Sequence, residues 1–260
     1  MRNLMGWVKR RQEVLVPAPL RRRLDLGDAR PLFAIYAIGD VHGCLKELKD
    51  AEERIARDMD QLGRSGLVVL LGDYIDRGPM SAQVIEHLLT PSDFGFRRLA
   101  LCGNHDDIFI KFLAAPEQYM QWLELGGQQT LSSYGIDPHQ LDFSKRGRDK
   151  LQQIFAANVP PRHLDFLSNL PISLKVGDFL FVHAGLRPKV MLDEQTDEDL
   201  MWIREPFLSS GWGGPGLVIH GHTPQPQPSF GPGRIGIDTG AFYTGNLTVL
   251  KLFQNEKSFI

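Results

Sequence analysis

A run of five apolar residues, Leu67–Leu71, lies between Gly66 and Gly72 and is followed at once by Asp73, Asp76 and Arg77. An apolar run of this length bounded by glycines reads as a buried strand, which puts the two carboxylates and the guanidinium in one loop at its C-terminal end. Open α/β sheets gather ligand-binding groups at that end, because backbone donors and loop side chains converge there. The pattern recurs in FAIYAIGDVHG, RLALCGNHD, FLFVHAG and LVIHGHT, each passing from apolar residues through Gly or Ala into Asp, Asn or His. Strand ends punctuated this way constrain the chain to an α/β fold in which they meet to build a site.

The order of the segments predicts how. Phe33–Ile38 forms the first strand, and a helix follows in which Leu48, Ile55, Met59 and Leu62 share a face. The central strand, a helix capped by Ser81, and a third strand over Arg98–Cys102 complete a strand-helix alternation that predicts right-handed crossovers in a largely parallel sheet. Residues 108–169 contain no buried strand candidate. Phe109, Phe112, Tyr119 and Trp122 there are spaced like the packing face of a helix, so the segment reads as an inserted helical cap. Strands resume at Phe179–Val182, Leu217–His220, Ile235–Ile237 and Leu247–Leu252, predicting a second, mixed or antiparallel sheet.

At 260 residues the chain suits one domain carrying an insertion. The net charge of −2 hides an asymmetry: residues 1–30 carry eight Lys or Arg against three acids, leaving 21 against 28 for residues 31–260. Residues 1–30 therefore read as a basic N-terminal arm and residues 31–260 as a single domain. Arg21, Arg22 and Arg23 could meet a phosphate-rich partner or an anionic membrane surface, and Leu4, Met5, Trp7 and Val8 a short amphipathic turn, but an arm packed on the acidic body is the simpler reading. Nucleic acid is not an expected partner, although the arm leaves it open. No apolar run is long enough to span a bilayer, and the N-terminus lacks a signal-peptide core, so the expected location is cytoplasmic. Cys44 and Cys102 lack the paired spacing of a thiolate metal site and read as buried thiols.

The strand ends supply Asp40, His42, Asp73, Asp76, Asn104, His105, His183, His220 and His222. Mixed carboxylate, imidazole and amide donors without thiolates suit Mn, Fe or Zn. Six or seven ligands exceed one tetrahedral shell, so two ions sharing a carboxylate are expected, with Asp73 as the bridge. His220 precedes the HGHT motif and reads as a packing or supporting group. His87, His139 and His163 follow no strand and read as structural.

GDVHG, GDYIDRG, GNHD, HAG and HGHT together resemble the phosphoprotein phosphatase family of metallophosphoesterases over roughly residues 33–250. The resemblance implies a β-sandwich of two mixed sheets flanked by helices, with a dinuclear centre of divalent ions, manganese first among them, that hydrolyses phosphate esters. It implies Asp40, His42 and Asp73 as ligands of one ion, and Asp73, Asn104, His183 and His222 as ligands of the other. By the same resemblance His105 is the general acid, Asp76 orients it, and Arg77 and Arg204 clamp the phosphoryl group beside Asn104. Attack by a metal-bridging hydroxide in line with the leaving group is the implied chemistry.

Substrate is the open point. Asp106 stands where eukaryotic serine/threonine phosphatases usually carry Glu, as it does in bacterial phosphatases and symmetrical diadenosine tetraphosphatases. GDYIDRG and HGHTP favour a bacterial serine/threonine phosphatase acting on phosphoproteins or small phosphoesters. The alternative is a symmetrical diadenosine tetraphosphatase or related nucleotide pyrophosphohydrolase; a silent metal-binding interaction module is the remaining reading. Nothing in the sequence speaks to oligomeric state.

Overall fold

The structure, a computed structural model, describes residues 20–144, 146–254 and 256–260. The amphipathic turn expected around Leu4, Met5, Trp7 and Val8 lies outside them. In chain order the elements are β1 (Arg23–Asp25), β2 (Ala34–Ile38), α1 (Leu45–Leu62), β3 (Gly66–Leu70), α2 (Ser81–Leu89), β4 (Arg97–Ala100), α3 (Asn104–Ala114), α4 (Gly127–Ser133), α5 (Arg148–Asn158) and α6 (Pro161–Ser168). They continue as β5 (Ser173–Val176), β6 (Phe179–Val182), α7 (Asp197–Trp202), α8 (Phe207–Ser210), β7 (Leu217–His220), β8 (Ser229–Gly231), β9 (Arg234–Gly236), α9 (Ala241–Thr244), β10 (Val249–Phe253) and β11 (Glu256–Phe259).

Two mixed sheets result, in the orders β11-β10-β2-β3-β4 and β1-β5-β6-β7-β9-β8. The expected parallel crossovers join β2, β3 and β4, and β10 pairs antiparallel with β2. Successive side chains of a strand point to opposite faces. Ile35, Ala37, Val69, Leu71 and Leu250 accordingly meet Phe181, Ile219 and Ile235 between the sheets. Tyr36, Ile38, Val68 and Leu70 face the helices, where Leu48, Ile55, Val84 and Ile85 cover them. Burial on both faces is why these strands read as continuous apolar runs, and it leaves only their C-terminal ends for polar groups.

β1, β5, β8 and β11 gave no sequence signal of their own. They are three or four residues long, and β1 and β11 carry charges at sheet edges, where one-sided pairing demands little hydrophobicity. β1 changes the reading of the arm: Arg23 pairs with Ser173 in parallel register, so part of residues 1–30 is built into a sheet. Among the described residues, three of its guanidiniums are tied to the domain. Arg21 donates to the Leu167 carbonyl at 3.0 Å and pairs with Asp107 at 3.0 Å, Arg22 donates to the Asn169 carbonyl at 2.8 Å, and Arg23 pairs with Asp197 at 3.1 Å. Arg21→Ala would leave Asp107 with Lys111 alone, 2.6 Å away, and strip several carbonyls of a donor. Discounting the figure for a fully buried pair, we expect a stability loss of about 2 kcal/mol, visible as a lower urea midpoint with an unchanged slope.

The described part of residues 108–169 holds helices joined by turns and no strand, although α3 starts earlier, at Asn104. Phe112 packs on Trp122 and Phe155 with ring centroids 4.6 and 5.8 Å apart, so the cap aromatics form core, although Phe109 and Phe112 lie on α3 and Trp122 on a separate 3₁₀ turn, Met120–Leu125, and no single helix face carries them. No helix among the described residues is long and apolar enough to cross a membrane.

Candidate metal centre

The C-terminal ends of β2, β3, β4, β6 and β7 bring the polar residues together. His42, Asp73, Asp76, Arg77 and His222 all hold positive φ, from 44° to 70°. Non-glycine residues seldom adopt that conformation, and several in one place signal backbone strain concentrated where side chains must be aimed. Two glycines make the closeness possible: a Cβ at Gly103 would run into the Asp73 carboxylate, and one at Gly221 into that of Asp40.

Asp73 sits at the centre. Its Oδ2 lies 3.4 Å from His183 Nε2, 3.6 Å from His42 Nε2 and 3.9 Å from His105 Nε2, while its Oδ1 accepts from the His105 backbone N–H at 3.0 Å. Two overlapping groups of potential ligand atoms share this carboxylate, one with His42 and His105 and one with His183 and His222. Asn104 Oδ1 lies 2.8 Å from His183 Nε2 and 2.9 Å from His222 Nδ1, and both Asp40 oxygens accept from the His222 backbone N–H.

The ring nitrogens left over are informative. His42 Nδ1 faces the Ile75 carbonyl at 2.8 Å and His183 Nδ1 the Leu71 carbonyl at 2.9 Å, so each ring is oriented by backbone and turns Nε2 inward. His42 Nε2 and His222 Nε2 are buried with no hydrogen-bond partner. An orphaned buried imidazole nitrogen is costly, and a cation would satisfy it. The donor set therefore fits divalent ions.

Electrostatics agree. Burial pushes His42 down to about 3, and burial with the neighbouring His183 charge pushes His222 down to about 2, keeping both neutral and able to ligate. Burial opposes ionisation of Asp73, but His183, His105 and His42 overcome it and hold its carboxyl well below the usual range. His183 goes the other way: burial lowers it, yet Asp73 and Asp40 raise it to about 10. The field that binds a proton so tightly there would also bind a cation.

Beside this centre a histidine and a carboxylate are paired. His105 Nδ1 lies 2.6 Å from Asp76 Oδ2, which also accepts from Trp122 Nε1 at 2.7 Å, while Oδ1 accepts from the Thr130 hydroxyl at 2.6 Å. The buried cap residues Trp122 and Thr130 thus fix the carboxylate that fixes the histidine. Burial would lower the His105 pKa, but Asp73 and Asp76 outweigh it and raise it. Arg77 Nη2 lies 3.1 Å from His105 Nε2. Arg204 is exposed just past α7, close enough for its charge to depress His222.

Other residues take structural parts. Asp106 accepts from the backbone N–H of Gly103 and Asp73 at 2.9 Å and of Tyr74 at 3.0 Å, stapling the loop after β3 to that after β4. His220 lies between Arg234 and the Phe207 ring, and burial lowers its pKa to about 4. His87 pairs with Glu52 and His163 with Glu86. Cys44 and Cys102 are buried free thiols, and burial first, then Glu47, raises Cys44 to about 11.

Some neighbours of the centre escaped sequence reasoning. Asp238, just past β9, is buried with one unpartnered oxygen, and its charge is felt by Asp40. IGIDTG repeats the punctuation of the other strand ends and was the signal available. Phe242 and Trp202 also reach the centre, their rings 5.6 Å from His42 and 6.1 Å from His222. Nothing in their spacing marked them.

A sequence profile of the calcineurin-like phosphoesterase family matches residues 33–256. The asymmetrical bis(5′-nucleosyl)-tetraphosphatase PrpE of Oceanobacillus iheyensis is 24% identical over 249 residues, covering 87% of this chain and 90% of that protein. The symmetrical bis(5′-nucleosyl)-tetraphosphatase of Dechloromonas aromatica is 31% identical over 158 residues, covering 60% of this chain but only 45% of that protein. A crystal structure provisionally assigned as a diadenosine tetraphosphatase superposes with a TM-score of 0.63 at 20% identity, covering 92% of this chain and 97% of that one. That likeness is one of fold.

Proposed function

The chain belongs to the calcineurin-like phosphoesterase family of metal-dependent hydrolases, and from that premise we propose that it cleaves the phosphoanhydride chain of a dinucleoside tetraphosphate. One observation carries the chemistry: a single Asp73 oxygen within 3.9 Å of three imidazole nitrogens delivered by separate strand ends. In this reading Asp40, His42 and Asp73 hold one divalent ion, and Asp73, Asn104, His183 and His222 the other. Bound there, the pair would supply Lewis acidity and an activated water at neutral pH. Manganese is the ion to test first, with iron and zinc as alternatives.

The remaining work falls to side chains. Arg77 and Arg204 present planar, permanently charged donors that match phosphoryl oxygens in pairs. Asp76 holds Nδ1–H of His105 and favours the imidazolium, and Nε2, which accepts from Arg77 in the structure, would carry the transferable proton once Arg77 engages the phosphoryl oxygens. Trp122 and Thr130 keep Asp76 from turning away.

The sequence alone inclined to phosphoserine and phosphothreonine. The relatives move the preference to the alternative, because both are named for nucleoside tetraphosphates and one aligns along nearly its whole length. The cap cations Lys111 and Arg148 do not supply a polyphosphate path, since Lys111 pairs with Asp107 and Arg148 with Glu117. Support comes instead from the exposed rings beside the centre. With the manganese-loaded protein, kcat/KM for diadenosine tetraphosphate should exceed that for a phosphoserine peptide by more than about tenfold, or about 1.4 kcal/mol in transition-state binding. A tenfold preference for the peptide would restore the protein phosphatase reading. Products read the cut: two nucleoside diphosphates, or a triphosphate with a monophosphate.

A further inference from the structure

Phe109, Phe112 and Trp122 are fully buried in the cap, whereas Trp202, Phe242 and Tyr243, at or next to the centre, are 40%, 38% and 58% exposed; the other exposed rings among the described residues, Phe33, Phe94, Phe230 and Phe259, have no ring contact with the site histidines. Exposed rings gathered at a functional centre, rather than scattered singly over a surface, mark a place where something apolar is bound.

Local structure holds these rings outward. Trp202 is the last residue of α7, whose Leu200 and Met201 are buried, and the chain leaves the helix at Ile203 in an extended conformation. α9 is a four-residue turn between Gly240 and Gly245, both left-handed, and it presents Phe242 and Tyr243 side by side with centroids 4.8 Å apart at 82°. Tyr243 folds over Gly240, where any Cβ would strike its ring.

Each flank sets a ring against one of the site histidines. The Arg77 guanidinium lies 5.0 Å from the centroid of Phe242, which in turn meets the His42 ring at 5.6 Å. Trp202 meets the His222 ring at 6.1 Å, and Arg204 follows it by two residues. A ring against a histidine on each side of one centre, with Arg77 beside one ring and the charge of Arg204 reaching the histidine under the other, matches a ligand that is planar and apolar at its ends and anionic between them.

We propose that Trp202 and Phe242 are nucleobase-binding platforms on the two flanks of the metal centre, stacking the purines of a dinucleoside polyphosphate whose phosphates lie toward Arg77 and Arg204. The subsite rests on the proposed function for its ligand class, and it adds the residues that select nucleotides over simple phosphate esters. Stacking on a protein ring is tolerant of base identity, so purine nucleotides of either kind should be accepted.

Two measurements on the manganese-loaded full chain test the platforms. The first compares kcat/KM for diadenosine tetraphosphate and p-nitrophenyl phosphate in Trp202→Leu and Phe242→Leu. The ratio should fall about tenfold in each, mainly through KM for the dinucleotide, and Trp202→Phe should restore most of it. The second needs no dinucleotide cleavage: inhibition of p-nitrophenyl phosphate hydrolysis by ATP is compared with inhibition by inorganic tripolyphosphate. ATP should bind about tenfold more tightly in the wild type, and the gap should close in the double leucine variant. An ATP advantage without cleavage of the dinucleotide would overturn the proposed reaction and leave the platforms standing. Equal inhibition by ATP and tripolyphosphate, or a loss on a phosphoserine peptide as large as that on the dinucleotide, would overturn the platforms.

Discussion

Asp73→Asn is expected to lose at least one bound metal ion and turnover by about 10³-fold or more while remaining folded. The substitution keeps the volume, and Asn tolerates the left-handed φ of 53° that this position requires, so the backbone need not move. The amide oxygen can still accept from the His105 backbone N–H, now at 3.0 Å. What disappears is the charge that three imidazoles surround and that two adjacent dications would share. Metal analysis beside a thermal melt reads both halves of the expectation. Two tightly held ions with ordinary turnover would remove the dinuclear assignment.

His105→Asn is expected to spare the metals and slow hydrolysis of phosphoserine by about 10²–10⁴-fold. An alkoxide leaves poorly without a proton, and His105 is the group whose Nδ1 is fixed 2.6 Å from Asp76 while Asp73 and Asp76 hold its pKa up against burial. p-Nitrophenolate and a nucleoside phosphate are better leaving groups, so p-nitrophenyl phosphate and diadenosine tetraphosphate should suffer far less. Such a graded loss identifies a proton donor. An equal loss on all three would make His105 a positioning residue instead.

Much of this centre was legible in the chain because strands buried on both faces leave one kind of place for polar residues. GDVHG, GDYIDRG, GNHD, HAG and HGHT each announce a strand end, and the structure gathers Asp40, His42, Asp73, Asn104, His183 and His222 where those ends meet. Asp106 was visible only as a departure from a motif; three backbone N–H groups from two loops show it to be a staple. Trp122 read correctly as core, yet its indole N–H, pointed at Asp76, links the cap to the His105–Asp76 pair.

The sequence by itself determined the α/β class and the apolar strands, since these follow from local periodicity, and it marked the polar residues that the strand ends bring together. Tertiary structure alone decided the rest. β1 becomes a strand only because β5 offers an edge, and Arg21 and Arg23 become internal ties only because Asp107 and Asp197 lie opposite them. Trp202 and Phe242 flank the metal centre only because α7 and α9 end beside His222 and His42. Edge pairing, ion pairing and the exposure of a ring depend on partners brought close from far along the chain, and no local pattern encodes that closeness.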